Sequence, residues 1–197
     1  MSSTPLDRRD LHALNASATP FIRITSAKKE SWCRVMEKEK DLRFGPWDFV
    51  ASFDVLSDST WSRPGEVIYF VNDSKGVLRL VGQSMSKLKG RWKTVPMSSV
   101  ASRQKLGRKA LFHTSSWPAV ENGLRGSEHP PFTVSALFRP ELESICRSAS
   151  GSLRGCLDVP ETHHQRLSYH VETWICEMDH RPTPLWNKDK VPRTFDI

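Results

Sequence analysis

The sequence predicts an α/β (α+β) fold: a small, mainly antiparallel sheet flanked by helices. Three observations carry that expectation. Val67 to Val71 and Val77 to Val81 are short β-forming runs joined by a tight polar loop, the pattern of a hairpin. "WDFVASFDVL" (47–56) and "PPFTVSALF" (130–138) are two further apolar runs of strand length. "ETHHQRLSYHVETWICEMDH" (161–180) places Leu167, Val171, Trp174, Ile175 and Met178 at helical spacing, between Pro160 and Pro182.

The elements follow in order. Residues 1 to about 25 read as a loose arm with a short apolar patch, "PFIRI". "SAKKESWCRVMEKEKDL" reads as a helix capped by Ser26, with Trp32, Val35, Met36 and Leu42 as a partial stripe. Pro64-Gly65 marks a turn before the hairpin. The loop Asp73 to Gly76 pairs Asn72 with Val77, Val71 with Leu78 and Tyr69 with Leu80, and turns Arg79 to the other side. In "QSMSKLKGRWKTVP" the spacing of Met85, Leu88, Trp92 and Val95 predicts a helix from a Ser84 cap to Pro96. Val100 to Phe112 is a second candidate helix, and Ser148 to Gly155 reads as a loop. The chain divides into an N-terminal extension, 1–60, and a principal domain, 61–197.

The chain has 197 residues, a length suited to one domain, and seven Trp and nine Phe residues to build a core. No apolar run approaches the ~18 residues of a membrane span, and the N-terminus lacks the apolar centre of a signal peptide. The expectation is a cytoplasmic, intracellular protein. Cys33, Cys146, Cys156 and Cys176 contain no C-x-x-C pair, so they read as reduced thiols. His163-His164 between two of them leaves a zinc site as the less favoured reading.

Charge is concentrated. Of the 29 basic residues, ten lie between Lys75 and Lys109, where no carboxylate occurs; the remainder has 19 basic against 22 acidic residues. A basic block in a slightly acidic chain points to a polyanion.

The hairpin resembles the signature of the GIY-YIG nuclease superfamily. Val67-Ile68-Tyr69 stands for the first triplet, ten residues follow, and Leu80-Val81-Gly82 stands for the second. "GQSMSKLKGRWK" is similar to the family's next helix, with Arg91 as its arginine. "HVETWICEMDHRPTPLWNK" resembles the late helix and ending of the restriction-endonuclease branch, with Glu172 and Asn187 at the functional positions. Two positions depart from the pattern: Leu80 replaces the second tyrosine, and Val95 stands where a basic or aromatic side chain is frequent. His113 or an N-terminal residue is a candidate substitute for that tyrosine.

The resemblance implies a DNA endonuclease dependent on Mg²⁺ (or Mn²⁺). Tyr69 is then the base or water-orienting group, Arg91 the phosphate clamp, Glu172 the metal ligand and Asn187 a supporting group. A phenol is a poor base at neutral pH unless cations stand nearby, which the basic block and a metal would supply. A guanidinium matches phosphate geometry and keeps its charge. Mg²⁺ can be held by one carboxylate with water and phosphate. Arg79, Lys87, Lys89, Lys93, Arg103, Lys105, Arg108 and Lys109 are the candidate phosphate contacts. The implied partner is DNA, duplex in preference to single-stranded, bound by a homodimer if a symmetric site is cut on both strands. With Leu80 and Val95 as marks of a lost site, the alternative is a GIY-YIG-fold module that binds nucleic acid without cutting. A third reading is a protein-interaction domain with an acidic partner.

Overall fold

The computed structural model describes residues 4–31, 47–92, 116–125, 130–178 and 185–187. The fold is α+β. Five strands, β1 (Thr19–Ser31), β2 (Trp47–Val55), β3 (Val67–Asn72), β4 (Leu78–Ser84) and β5 (Phe132–Phe138), form one sheet in the order β2-β1-β5-β3-β4. Every described pairing is antiparallel. The helices are α1 (Pro5–Ser17), α2 (Asp58–Ser62), α3 (Leu88–Arg91), α4 (Ser116–Arg125), α5 (Arg139–Ser148) and α6 (Leu167–Glu177), with a 3₁₀ turn at Ser152–Leu157. None of the described helices is long and apolar enough to cross a membrane.

The sheet is covered on both faces. Val67, Tyr69, Val71, Leu80, Val134 and Ala136 face one core with Leu88, Trp92 and Val120. Ile68, Phe70, Val81 and Leu137 face the other, with Leu14, Leu142, Leu167, Val171 and Ile175. This explains why "VIYFV" lacks polar alternation: a strand buried on both faces needs apolar side chains on both.

The N-terminal segment is not a loose arm. Thr4 and Asp7 form a reciprocal capping box and Pro5 sits where its missing N–H costs nothing, so a helix starts there. "PFIRI" enters β1, and Phe21, Ile22 and Ile24 are fully buried. Asn15 and Asn72 exchange amide hydrogen bonds of 3.0 and 2.9 Å, tying α1 to β3. Because β1 lies between β2 and β5, residues before and after position 60 share one sheet. Nor does a helix begin at Ser26: residues 26–31 pair with 47–52, so strand pairing overrides a weak helical stripe. Residues 32–42 of that expected helix lie outside the described residues.

The hairpin register also differs. Tyr69 pairs with Gly82 and Val71 with Leu80, while Asn72 pairs with Leu78, leaving Arg79 as the extra residue of a bulge. Asp73 organises that end of the hairpin. Its Oδ1 accepts the Lys75 and Val77 N–H groups, both at 2.9 Å, and Gly76 takes a φ of 77°. Its Oδ2 accepts Arg79 Nη2 and Nε at 2.7 and 3.0 Å.

Between Ser84, where β4 ends, and Trp92, only Leu88–Arg91 is helical. Ser84 Oγ accepts the Ser86 N–H instead of capping a longer helix, and Met85 is exposed. Leu88 and Trp92 are buried as their spacing predicts, while Val95, residues 100–112 and His113 lie outside the described residues. Part of the expected loop at 148–155 belongs to the 3₁₀ turn.

The C-terminal helix α6 begins at Leu167, further from Pro160 than the pattern suggests. Its first turn is held from a distance: Glu66, just before β3, accepts the Ser168 N–H at 2.7 Å. The other Glu66 oxygen takes Arg139 Nη1 at 2.8 Å, and Arg139 also bonds Glu143 and Glu161. This network fixes α6 relative to the strand that carries Tyr69.

Candidate active site

Tyr69 is the centre of the arrangement. It points from the middle of β3 into the first core and is 1% exposed. Its ring lies over Gly82, the cross-strand partner; a Cβ there would stand 2.3 Å from the ring, so only glycine leaves room. Trp92 meets the ring edge-on at 5.5 Å between centroids.

Among the described residues the phenol oxygen has two polar neighbours. Arg91, at the end of α3, donates from Nε at 3.4 Å. Ser116, the first residue of α4, lies 2.9 Å away through Oγ, and either hydroxyl can be the donor.

Arg91 connects the phenol to the C-terminal helix. Burial opposes its charge, but the Tyr69 oxygen and the Glu172 carboxylate outweigh burial and raise its pKa above the ordinary arginine value. Glu172 is itself 4% exposed. Its neighbours Val171 and Ile175 pack on the sheet face opposite Tyr69, and α6 lies against β3 and the edge strand β4. From there Glu172 comes within electrostatic range of Arg91, which reaches back to Tyr69.

Asn187 is held against β4. Its Oδ1 accepts the Val81 N–H at 3.0 Å and its Nδ2 donates to the Val81 carbonyl at 2.6 Å. The Trp186 N–H donates to the Arg79 carbonyl at 2.6 Å. Residues 185–187 therefore lie along the free edge of β4 like a short extra strand, satisfying groups that an edge exposes. The Asn187 amide supports β4. Trp186 packs edge-on against Phe132 at 5.2 Å and fills the space beside Gly123 in α4.

Of the candidate phosphate contacts, Lys87 and Lys89 are exposed beside Arg91. Arg79 is not on the surface: its side chain is 7% exposed and paired with Asp73, because the bulge aims it into the hairpin loop. Lys93, Arg103, Lys105, Arg108 and Lys109 lie outside the described residues. Leu80 is a core residue beside Tyr69, and it brings no hydroxyl to the site.

Ser116 is the participant that sequence reasoning missed. "SWPAVE" carries a helix-start signal, proline just after a serine. Nothing in it indicates a contact with Tyr69, which lies 47 positions away.

Among the described residues no group of three or more His, Cys, Asp or Glu side chains converges as a metal cage. Cys146 and Cys156 are free thiols, and Cys33 lies outside the described residues. Burial pushes Cys146 up to about 12 and Cys156 up to about 11, so both are inert thiols at neutral pH. The donor set at Glu172, one buried carboxylate, fits a hard cation that completes its shell with water and phosphate.

Comparisons of this chain with known protein families, with curated proteins and with solved structures found no match.

Proposed function

We propose that this chain is a metal-dependent DNA endonuclease that hydrolyses phosphodiester bonds, organised as a GIY-YIG domain in a restriction or defence setting. One observation carries the reading. Arg91 bonds the Tyr69 hydroxyl and lies within electrostatic range of Glu172, although the three residues come from a strand, a short helix and a late helix.

The chemistry follows from what each group can do. Hydrolysis needs a water aimed in line at phosphorus and neutralisation of charge on the phosphoryl oxygens. The planar Arg91 guanidinium binds non-bridging oxygens and holds the phosphate in register. As the phenolate, with its own proton already lost, the Tyr69 oxygen orients the water and accepts its proton. Glu172 would hold Mg²⁺ or Mn²⁺, which when bound supplies charge stabilisation at the leaving oxygen. Exposed Lys87 and Lys89 bind the DNA backbone without reading its sequence.

A second reading has its own support. Tyr69 is 1% exposed and Leu80 is packed into the core. A domain of this kind could bind nucleic acid without cutting it.

One experiment separates the two. Plasmid, linear duplex and single-stranded DNA are incubated with the protein in Mg²⁺ or EDTA, alongside Glu172→Gln. Cutting that needs Mg²⁺ and disappears in the variant is the expected result. Salt-sensitive binding with no cutting would establish the second reading.

A further inference from the structure

We propose that Ser116 is a positioning residue for Tyr69, holding the phenol's O–H in the one orientation the site can use. The inference deepens the nuclease reading and rests on it.

The two neighbours of the phenol differ in hydrogen-bond capacity. Arg91 Nε can only donate. A neutral phenol must place its own proton on an acceptor, and of the two groups at its oxygen among the described residues only the Ser116 hydroxyl accepts. The Tyr69 proton therefore points to Ser116, and the phenol lone pair is left for Arg91. If the phenol gives up its proton, Ser116 rotates and donates to the oxygen alongside Arg91. A hydroxyl serves both states; no apolar side chain serves either.

Ser116 is also held in the manner of a site residue. It is 1% exposed and opens α4. Two turns on, Gly123 receives the Trp186 ring. The segment bearing Trp186 is bonded to β4 through Arg79 and Val81. That strand carries Gly82, on which the Tyr69 ring rests. One strap thus locates both the surface beneath the phenol and the hydroxyl at its tip.

The test measures kcat and KM for DNA cleavage in Mg²⁺ for wild type, Ser116→Ala, Ser116→Thr, Tyr69→Phe and the Ser116→Ala/Tyr69→Phe pair. Ser116→Ala is expected to lower kcat about tenfold, the equivalent of one hydrogen bond removed from the transition state, with KM nearly unchanged. Ser116→Thr, which keeps the hydroxyl, restores most of kcat. The double variant is no slower than Tyr69→Phe alone, because the two act as a unit. If Ser116→Ala does not fold, Ser116→Cys replaces it; its weak thiol donor predicts a smaller loss.

A second readout does not depend on cutting. The chain has two tyrosines, Tyr69 and Tyr169, so ¹³Cζ-tyrosine gives two NMR signals. The Tyr69 signal is expected to move in Ser116→Ala and return in Ser116→Thr. Unchanged kcat, multiplicative losses in the double variant, or an unmoved Tyr69 signal overturns the inference while an active wild type keeps the nuclease reading. A wild type that never cuts overturns the nuclease reading; a Tyr69 signal that still responds to Ser116 then keeps the hydrogen bond, and one that does not overturns both.

Discussion

Gly82 and Tyr69 show how one residue's shape decides another's position. The ring occupies the volume that a Cβ at Gly82 would need. Gly82→Ala is expected to push the ring off the strand and destabilise the protein by about 1–3 kcal/mol, the usual range for overpacking. Urea unfolding would measure the loss, and near-ultraviolet circular dichroism would report the changed Tyr69–Trp92 packing. Arg79 illustrates the opposite lesson. By sequence it is one more member of a basic block, yet its guanidinium is spent on Asp73. Burial works against the Asp73 charge, but the Arg79 side chain and the Val77 and Lys75 N–H groups hold its carboxyl below the usual range. Counting lysines and arginines therefore overstates the charge presented to a polyanion.

At the scale of elements, hydrogen bonds tie α1 and the segment 185–187 to the rest of the fold. At the α1 cap, Asp7 accepts from Thr4, at 2.7 Å from Oγ1, and from the Ser152 hydroxyl and N–H at 2.7 and 2.8 Å. The Thr4 bond first, then those from Ser152, lower its pKa from 3.8 to about 2. The folded value lies below the unfolded one, so this stabilisation is complete above pH 3.8 and is lost as pH falls through about 2. Asp7→Asn should cost about 2 kcal/mol at neutral pH. The difference from wild type should shrink below pH 3.8 in urea titrations at stepped pH. In the strap at 185–187, Asn187→Ala removes both side-chain bonds to Val81 and is expected to destabilise by about 1–3 kcal/mol. Hydrogen exchange at the Val81 amide should speed up, because edge-strand protection then depends on solvent.

For the molecule as a whole, a five-stranded antiparallel sheet covered on both faces carries α6 against β3 and β4, and β4 leads on to α3. Exposed Lys87 and Lys89 lie at the start of α3. The double variant Lys87→Gln/Lys89→Gln should weaken DNA binding and reduce the slope of log affinity against log salt by about 1 for each phosphate that is no longer neutralised. Fluorescence anisotropy over a salt series would measure it; an unchanged slope would place the DNA elsewhere. The sequence by itself determined what local pattern can carry. The hairpin strands, β2, β5 and the helix at Leu167–Glu177 follow from alternation, apolar runs and helical spacing. Tyr69, Arg91 and Glu172 are singled out by the resemblance of their motif positions, and the structure brings Arg91 within hydrogen-bond range of the Tyr69 oxygen. Whatever depends on distant neighbours was not legible in the sequence. The first 25 residues look polar and loose until β5 gives β1 a partner. The hairpin register depends on a bulge built around Asp73, and Asn187 finds its use at the edge of β4. Ser116 acquires meaning only where α4 delivers it to Tyr69. The physical reason is the same in each case: periodicity records which face of an element is apolar, while hydrogen bonds between remote segments are decided only when packing brings them within about 3 Å.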